Sequence, residues 1–140
     1  MRWNFVLLIL CIIALNTGTG VPAADNNSEE ITVKSISFRV ENGIEKVFVQ
    51  LNTHYIPTVA ALEGDKPRIY MDFRHIVAWS GPSEIPVNGH LIKKIRAHLN
   101  HDKNVLRIVL DLTPSLDCNV NPVYYNADYI YCLEVSEVKQ

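Results

Sequence analysis

Lys66-Pro67-Arg68-Ile69-Tyr70-Met71-Asp72-Phe73 is the stretch that decides how this chain folds. Glu63-Gly64-Asp65-Lys66-Pro67 supplies turn chemistry ahead of it. Ile69, Met71 and Phe73 then alternate with Arg68, Tyr70 and Asp72. A period of two places the apolar three on one face of a β-strand. The opposite face carries a cation, a phenol and a carboxylate in a row.

The same grammar runs through the chain on both sides of this strand. Ile36, Phe38 and Val40 alternate with Ser37 and Arg39, and Glu41-Asn42-Gly43 marks a hairpin turn. Val47, Val49 and Leu51 form the next apolar set, and Tyr55 to Leu62 is a broken extended segment containing Pro57. Val77 to Val87, with Trp79, Gly81, Pro82 and Pro86, reads as an irregular crossover, with a weak helical alternative near Ser83 to Ile92. Ile95, Ala97 and Leu99 share a face. After a turn at Asn100-His101-Asp102-Lys103-Asn104, so do Leu106, Ile108, Leu110 and Leu112. No window after the N-terminal apolar run has convincing helical periodicity.

There is also an internal repeat. Val33–Phe38 resembles Ile92–Ala97, Val47–Leu51 resembles Ile108–Leu112, and Arg68-Ile69-Tyr70 resembles Tyr129-Ile130-Tyr131. The first residues of these blocks differ by 59, 61 and 61 positions. The expected fold is all-β: a sandwich of two similar small antiparallel sheets with an internal repeat.

The first 23 residues are read as a secretory signal peptide. Arg2 precedes the unbroken apolar run from Phe5 to Leu15, and Val21-Pro22-Ala23-Ala24 offers small residues for cleavage after Ala23, with Gly20 and Ala24 as alternatives. A membrane span needs about 20 apolar residues, more than this run holds. Residues 24–30 are read as a flexible tail, and residues 31–137 as one domain. Removing Arg2 from 13 basic residues leaves 12 against 15 acidic ones, a net charge of −3. That balance excludes a nucleic-acid footprint. No second apolar run of membrane length follows, so no membrane span is expected in the mature chain. Export would place Cys118 and Cys132 in an oxidising compartment. A hairpin centred on Tyr125 would set them opposite each other, so a Cys118–Cys132 disulfide is expected.

Candidate chemistry is confined to charged faces. Arg68 with Asp72 and Arg107 with Asp111 each span roughly 13 Å along a strand, too far for an ion pair within it. Each Arg is therefore expected to meet an acid on a neighbouring strand. A row of guanidinium groups that binds carboxylates bidentately is the functional alternative. Lys93-Lys94-Ile95-Arg96 is a local basic patch, suited to an anionic polymer or to guarding a sheet edge. Trp79 and Tyr125, both in loops, are the best surface aromatics. His98 and His101 lack the helical spacing of a metal motif, and no nucleophile elbow or phosphate loop occurs. The chain is therefore expected to be non-enzymatic, with no metal and no cofactor.

Taken together, Pro67–Phe73, Ile95-Arg96 and Leu106–Leu112 resemble the blocks of the AMIN domain, in order and with the matching repeat. The resemblance covers Ile31 to Val135. It implies a β-sandwich of the kind found in exported bacterial proteins, attached to cell-wall amidases and secretins. Peptidoglycan binding and periplasmic targeting follow as expected roles, with Arg68, Asp72, Arg96, Arg107 and Asp111 as implied ligand-binding residues. The chain ends at this domain, so the module is expected to act alone or with a separate partner. The alternative is a protein-interaction module that docks onto an envelope assembly without touching the cell wall.

Overall fold

In the computed structural model, which describes residues 30–139, the turn residues do what their chemistry predicts. Asn42 and Gly43 both take positive φ, 53° and 78°. That pairing is the signature of a two-residue type I′ turn, and it joins β1 (Val33–Glu41) to β2 (Ile44–Leu51). Asn104 is likewise left-handed in the loop between β6 (Ile92–Asn100) and β7 (Val105–Leu112). There the Asn100 side-chain oxygen accepts a hydrogen bond from the Lys103 amide at 3.0 Å. The remaining strands are β3 (Thr58–Leu62), β4 (Arg68–Arg74), β5 (Glu84–Ile85), β8 (Cys118–Tyr125) and β9 (Ile130–Glu137). The expected signal segment, and the expected tail apart from Glu30, lie outside the described residues.

Two antiparallel sheets result, ordered β1-β2-β9-β8 and β3-β4-β7-β6-β5. The molecule is an all-β sandwich of two sheets of similar size. Ile69, Met71 and Phe73 of β4 are at most 1% exposed and pack with Val47, Val49, Leu51, Ile108, Leu110 and Leu133 in one core. Each such side chain contributes about 1.5–3 kcal/mol when removed from water. A register shift between Ile92 and Lys94 lets Ile92 and Ile95 both face inward despite their odd spacing.

The repeat takes a particular form. The first hairpin of each half forms one side of a sheet, and the later strands of the other half complete it. Under the repeat, β1-β2-β9-β8 maps onto β6-β7-β4-β3. The first two blocks match in register: Phe38 faces Val47 as Ala97 faces Ile108. The third is offset by one residue from the sequence reading. Val49 pairs with Tyr131, as Leu110 pairs with Ile69, so Ile69 corresponds to Tyr131 rather than to Ile130. Burial decides this, since Tyr131 is 2% exposed and Ile130 lies on the outer side.

One rim of the sandwich is closed by a carboxylate. Glu45 is in phase with inward-facing Val47 and Val49, and is 3% exposed. Its Oε1 accepts from the amides of His90 and Leu91, the latter at 2.7 Å, and its Oε2 accepts from the Ile92 amide at 2.7 Å. A strand of one sheet thereby fastens the entry of β6 in the other. Gly89 makes room for the contact: a Cβ there would stand 2.8 Å from both the Glu45 carboxyl carbon and the Ile92 carbonyl oxygen.

Three expectations are corrected. First, Cys118 and Cys132 are free thiols, not a disulfide. The hairpin turns through a short 3-10 segment, Asn126–Asp128, with Tyr129 left-handed at φ 51°. It is therefore centred between Ala127 and Asp128, and not on Tyr125. Cys118 faces Glu137, while Cys132 faces Val123. The register sum is odd, so the two thiols point to opposite faces of the sheet. Cys118 packs toward the core; Cys132 lies on the outer side, fully covered. Burial pushes the Cys132 thiol up to about 11, which suppresses its thiolate. Peptide mapping after unfolding without reductant is expected to find both residues alkylated. A mapped cross-link between them would contradict the register.

Second, the weak helical alternative at Ser83–Ile92 is not realised: β5 occupies Glu84–Ile85, and the Ser83 carbonyl accepts from the Ala97 amide at 2.9 Å. Third, Trp79 is no open platform. Its ring lies against Gly81 and packs on the core, with its indole N–H donating to the Pro82 carbonyl at 3.3 Å. Tyr125 remains 41% exposed.

Candidate functional site

The five implied ligand-binding residues, Arg68, Asp72, Arg96, Arg107 and Asp111, all lie on the outer face of the five-stranded sheet. Inward Ile69, Met71 and Phe73 force Arg68, Tyr70, Asp72 and Arg74 outward on β4. On β7 the same parity exposes Arg107, Val109 and Asp111, and on β6 it exposes Arg96 and His98. The register stacks these residues into rows across the sheet. One row runs Leu62–Arg68–Asp111–Lys94, the next Ala60–Tyr70–Val109–Arg96–Glu84, and the third Thr58–Asp72–Arg107–His98.

Two bidentate pairs organise the face. Arg107 donates from Nε and Nη2 to the two Asp72 oxygens, both at 2.7 Å. Arg96 donates to Asp111 at 3.0 and 2.7 Å, reaching diagonally because Asp111 stands opposite Lys94. Within their own strands Arg68 does not pair with Asp72, nor Arg107 with Asp111, as the 13 Å estimate requires. Arg107 also lies over the Tyr70 ring, 4.5 Å from its centroid. Donating to Asp72 and Asp111 pushes the Arg107 and Arg96 pKa values further up, so both stay cationic. Lys94 pairs with Glu84 at 2.8 Å.

Arg68 is different. Its cross-strand neighbour Asp111 is already committed to Arg96. Among the described residues no carboxylate lies within 4.0 Å of Arg68, Arg74 or Lys103. Arg68, Arg96 and Arg107 converge on a depression of about 300 Å³ bordered by Leu62, Tyr70 and Val109. A second depression of about 310 Å³ lies beyond Arg107, lined by Asp72, Arg74, His98, Asn100, Lys103 and Val105. The sequence reading did not single out Arg74 or Lys103. Arg74 was findable, since it continues the outward parity of Arg68 and Asp72. Lys103 was not, because only the fold of its turn brings it to the sheet.

The outer face of the other sheet is electrostatically balanced. Lys46 bridges Glu41 at 3.1 Å and Glu134 at 3.2 Å, and Asn121 donates to Glu134 at 3.0 Å. The Asn121 hydrogen bond, then that of Lys46, hold the Glu134 carboxyl below its ordinary value. A depressed folded pKa adds stability above the unfolded value of about 4.3, and that increment is lost as pH falls through the folded value. Glu134→Gln is therefore expected to flatten the acid limb of a stability-versus-pH curve measured by urea unfolding. An unchanged limb would contradict the network.

Among the described residues, no group of three His, Cys, Asp or Glu side chains could hold a metal ion, and no helix is long and apolar enough to cross a membrane. No protein-family model matches this chain, and no curated protein aligns with it significantly. Fold and face together define a two-sheet β-sandwich with one balanced outer surface and one carrying a surplus of cations.

Proposed function

We propose that this protein is a non-catalytic, exported binding module whose arginine-bearing sheet face holds an anionic cell-wall polymer, peptidoglycan. The observation that carries the reading is the depression at Arg68, Arg96 and Arg107, where Arg68 makes no ion pair among the described residues. A free guanidinium beside a phenol ring suits a stem-peptide carboxylate and the face of a sugar. Asp72 and Asp111 hold Arg107 and Arg96 in place. The export step rests on the N-terminal apolar run, and the periplasm is the compartment this reading requires. The likeness of three sequence blocks to AMIN domains supports the same assignment.

The test is retention on purified cell-wall sacculi at low and high salt. Wild-type protein should be retained and released by salt. Arg68→Ala should weaken retention about ten-fold, the loss of about 1.4 kcal/mol expected for a charge-assisted contact. It should leave the melting temperature unchanged, because Arg68 makes no ion pair among the described residues. Absence of retention at any salt would refute the reading.

A further inference from the structure

The sandwich has four edge strands, and three of them are protected. β1 carries exposed Lys34 and Arg39 and a register shift near its start. β5 is two residues long, flanked by Pro82 and Pro86. β8 contains Pro122, which has no amide to offer. These are the usual devices against edge-to-edge pairing. β3 has only a flanking proline, Pro57. Thr58-Val59-Ala60-Ala61-Leu62 is uncharged and free of proline, it pairs only with β4, and Val59 and Leu62 are 37% and 43% exposed.

Beside β3 the sandwich stands open. Val59 and Ala61 share the inward parity of Met71 and Ile69, yet remain accessible. A cavity of about 630 Å³ lies between β3 and β8; Ala61, Ile69, Leu112, Leu116, Val120 and Val138 give it apolar walls, and Glu63, Arg68 and Asp117 charged ones. Val120 and Val138 are 38% and 39% exposed, so this apolar lining faces solvent. On the outer side the strand borders the arginine depression, which Leu62 and Arg68 both line.

We infer that β3 accepts an added β-strand from a partner protein, an extended segment with apolar residues on its inward side and acidic residues on its outer side. The backbone edge supplies the hydrogen bonds, as in other strand additions. The inward residues of the added strand fall over the cavity, next to Val59 and Ala61. An outward residue opposite Leu62 stands two strand spacings, about 10 Å, from the backbone of Arg68. A guanidinium and a carboxylate together cover that span. Among the described residues Arg68 makes no ion pair, its neighbour Asp111 being held by Arg96, so the charge complement selects Glu or Asp there. A second copy of this chain does not meet the requirement, because β3 itself carries no acid.

This inference is independent of cell-wall binding except for sharing Arg68, and one variant separates the two. The probe is a fluorescein-labelled peptide of alternating Val and Glu, titrated into the protein by anisotropy against a matched Val–Lys peptide. Saturable binding of the Val–Glu peptide is expected, about ten-fold tighter than that of the Val–Lys peptide. Arg68→Ala should remove most of the difference. Val59→Lys should abolish binding of both peptides while leaving sacculus retention intact. Hydrogen exchange on the wild-type protein supplies a readout that needs no variant: the amides of residues 58–62 should gain protection with the Val–Glu peptide. No saturable binding, protection confined to another strand, or insensitivity to a folded Val59→Lys would overturn the inference. Peptide-free dimerisation that buries β3 would also overturn it.

Discussion

Glu45→Ala should cost about 3–5 kcal/mol of folding stability, measured by urea unfolding at neutral pH. The substitution leaves the amides of His90, Leu91 and Ile92 without their acceptor. An unsatisfied buried donor costs about 1–3 kcal/mol, and partial relaxation of the loop should recover some of the sum. A domain of this size has about 5–15 kcal/mol in total, so the loss is a large fraction. Glu45→Gln should be milder, since one amide oxygen still accepts where Oε1 or Oε2 did. Gly89→Ala should reproduce part of the defect, about 1–3 kcal/mol, by forcing a methyl group against the Ile92 carbonyl oxygen and the Glu45 carboxyl carbon. The double variant should fall short of the sum, because both changes break one contact. Near-neutral stability of Glu45→Ala would show that these three hydrogen bonds do not hold the rim.

The second large effect separates structural arginines from the free one. Arg107→Ala should cost about 2–3 kcal/mol, while Arg68→Ala should be silent in stability. Asp72 is 7% exposed, and two of its contacts are the Arg107 hydrogen bonds. Removing Arg107 strands a buried carboxylate, whose penalty exceeds that of a neutral acceptor. The guanidinium side is about half exposed, which keeps the cost below that of a fully buried pair. Asp72→Asn with Arg107→Ala should recover part of the loss, because the stranded charge is gone. An equal stability loss from Arg68→Ala and Arg107→Ala would remove the distinction between them. The contrast also bears on cell-wall assays: loss of retention in a variant lacking Arg107 mixes binding with unfolding, whereas Arg68→Ala reads binding alone.

Much of this was legible from local pattern. The alternation of Ile69, Met71 and Phe73 with Arg68, Tyr70 and Asp72 specified both a strand and its two faces. The inward set is at most 1% exposed. Asn42-Gly43 announced its turn. Glu45 went unread in the sequence, although it is an acid at the parity of Val47 and Val49, and its purpose lay beyond any local pattern. Its three donors lie 45 to 47 residues away along the chain. The disulfide expectation failed because Cys118 faces Glu137, five positions beyond Cys132, and that odd displacement also puts the two thiols on opposite faces. Whether Tyr125 or the Ala127–Asp128 link centres the hairpin depends on how Asn126–Asp128 coils and on Tyr129 adopting positive φ. One residue of shift exchanges the faces of every side chain on the strand.

What the chain determined by itself is therefore local: which segments are strands, which side chains share a face, and that a pattern occurs twice. Period-two alternation needs no partner to be read, because it follows from the pleat of a single strand. Only the tertiary structure decided which strands pair. It crossed the two halves, so that β4 joins β7 and β9 joins β2. That crossing handed Asp72 to Arg107, while the β6–β7 hairpin gave Asp111 to Arg96 and left Arg68, opposite the same Asp111, without an ion pair among the described residues. The charges were equivalent in the sequence. Their different roles come from neighbours supplied across the sheet, at separations where no local pattern carries information.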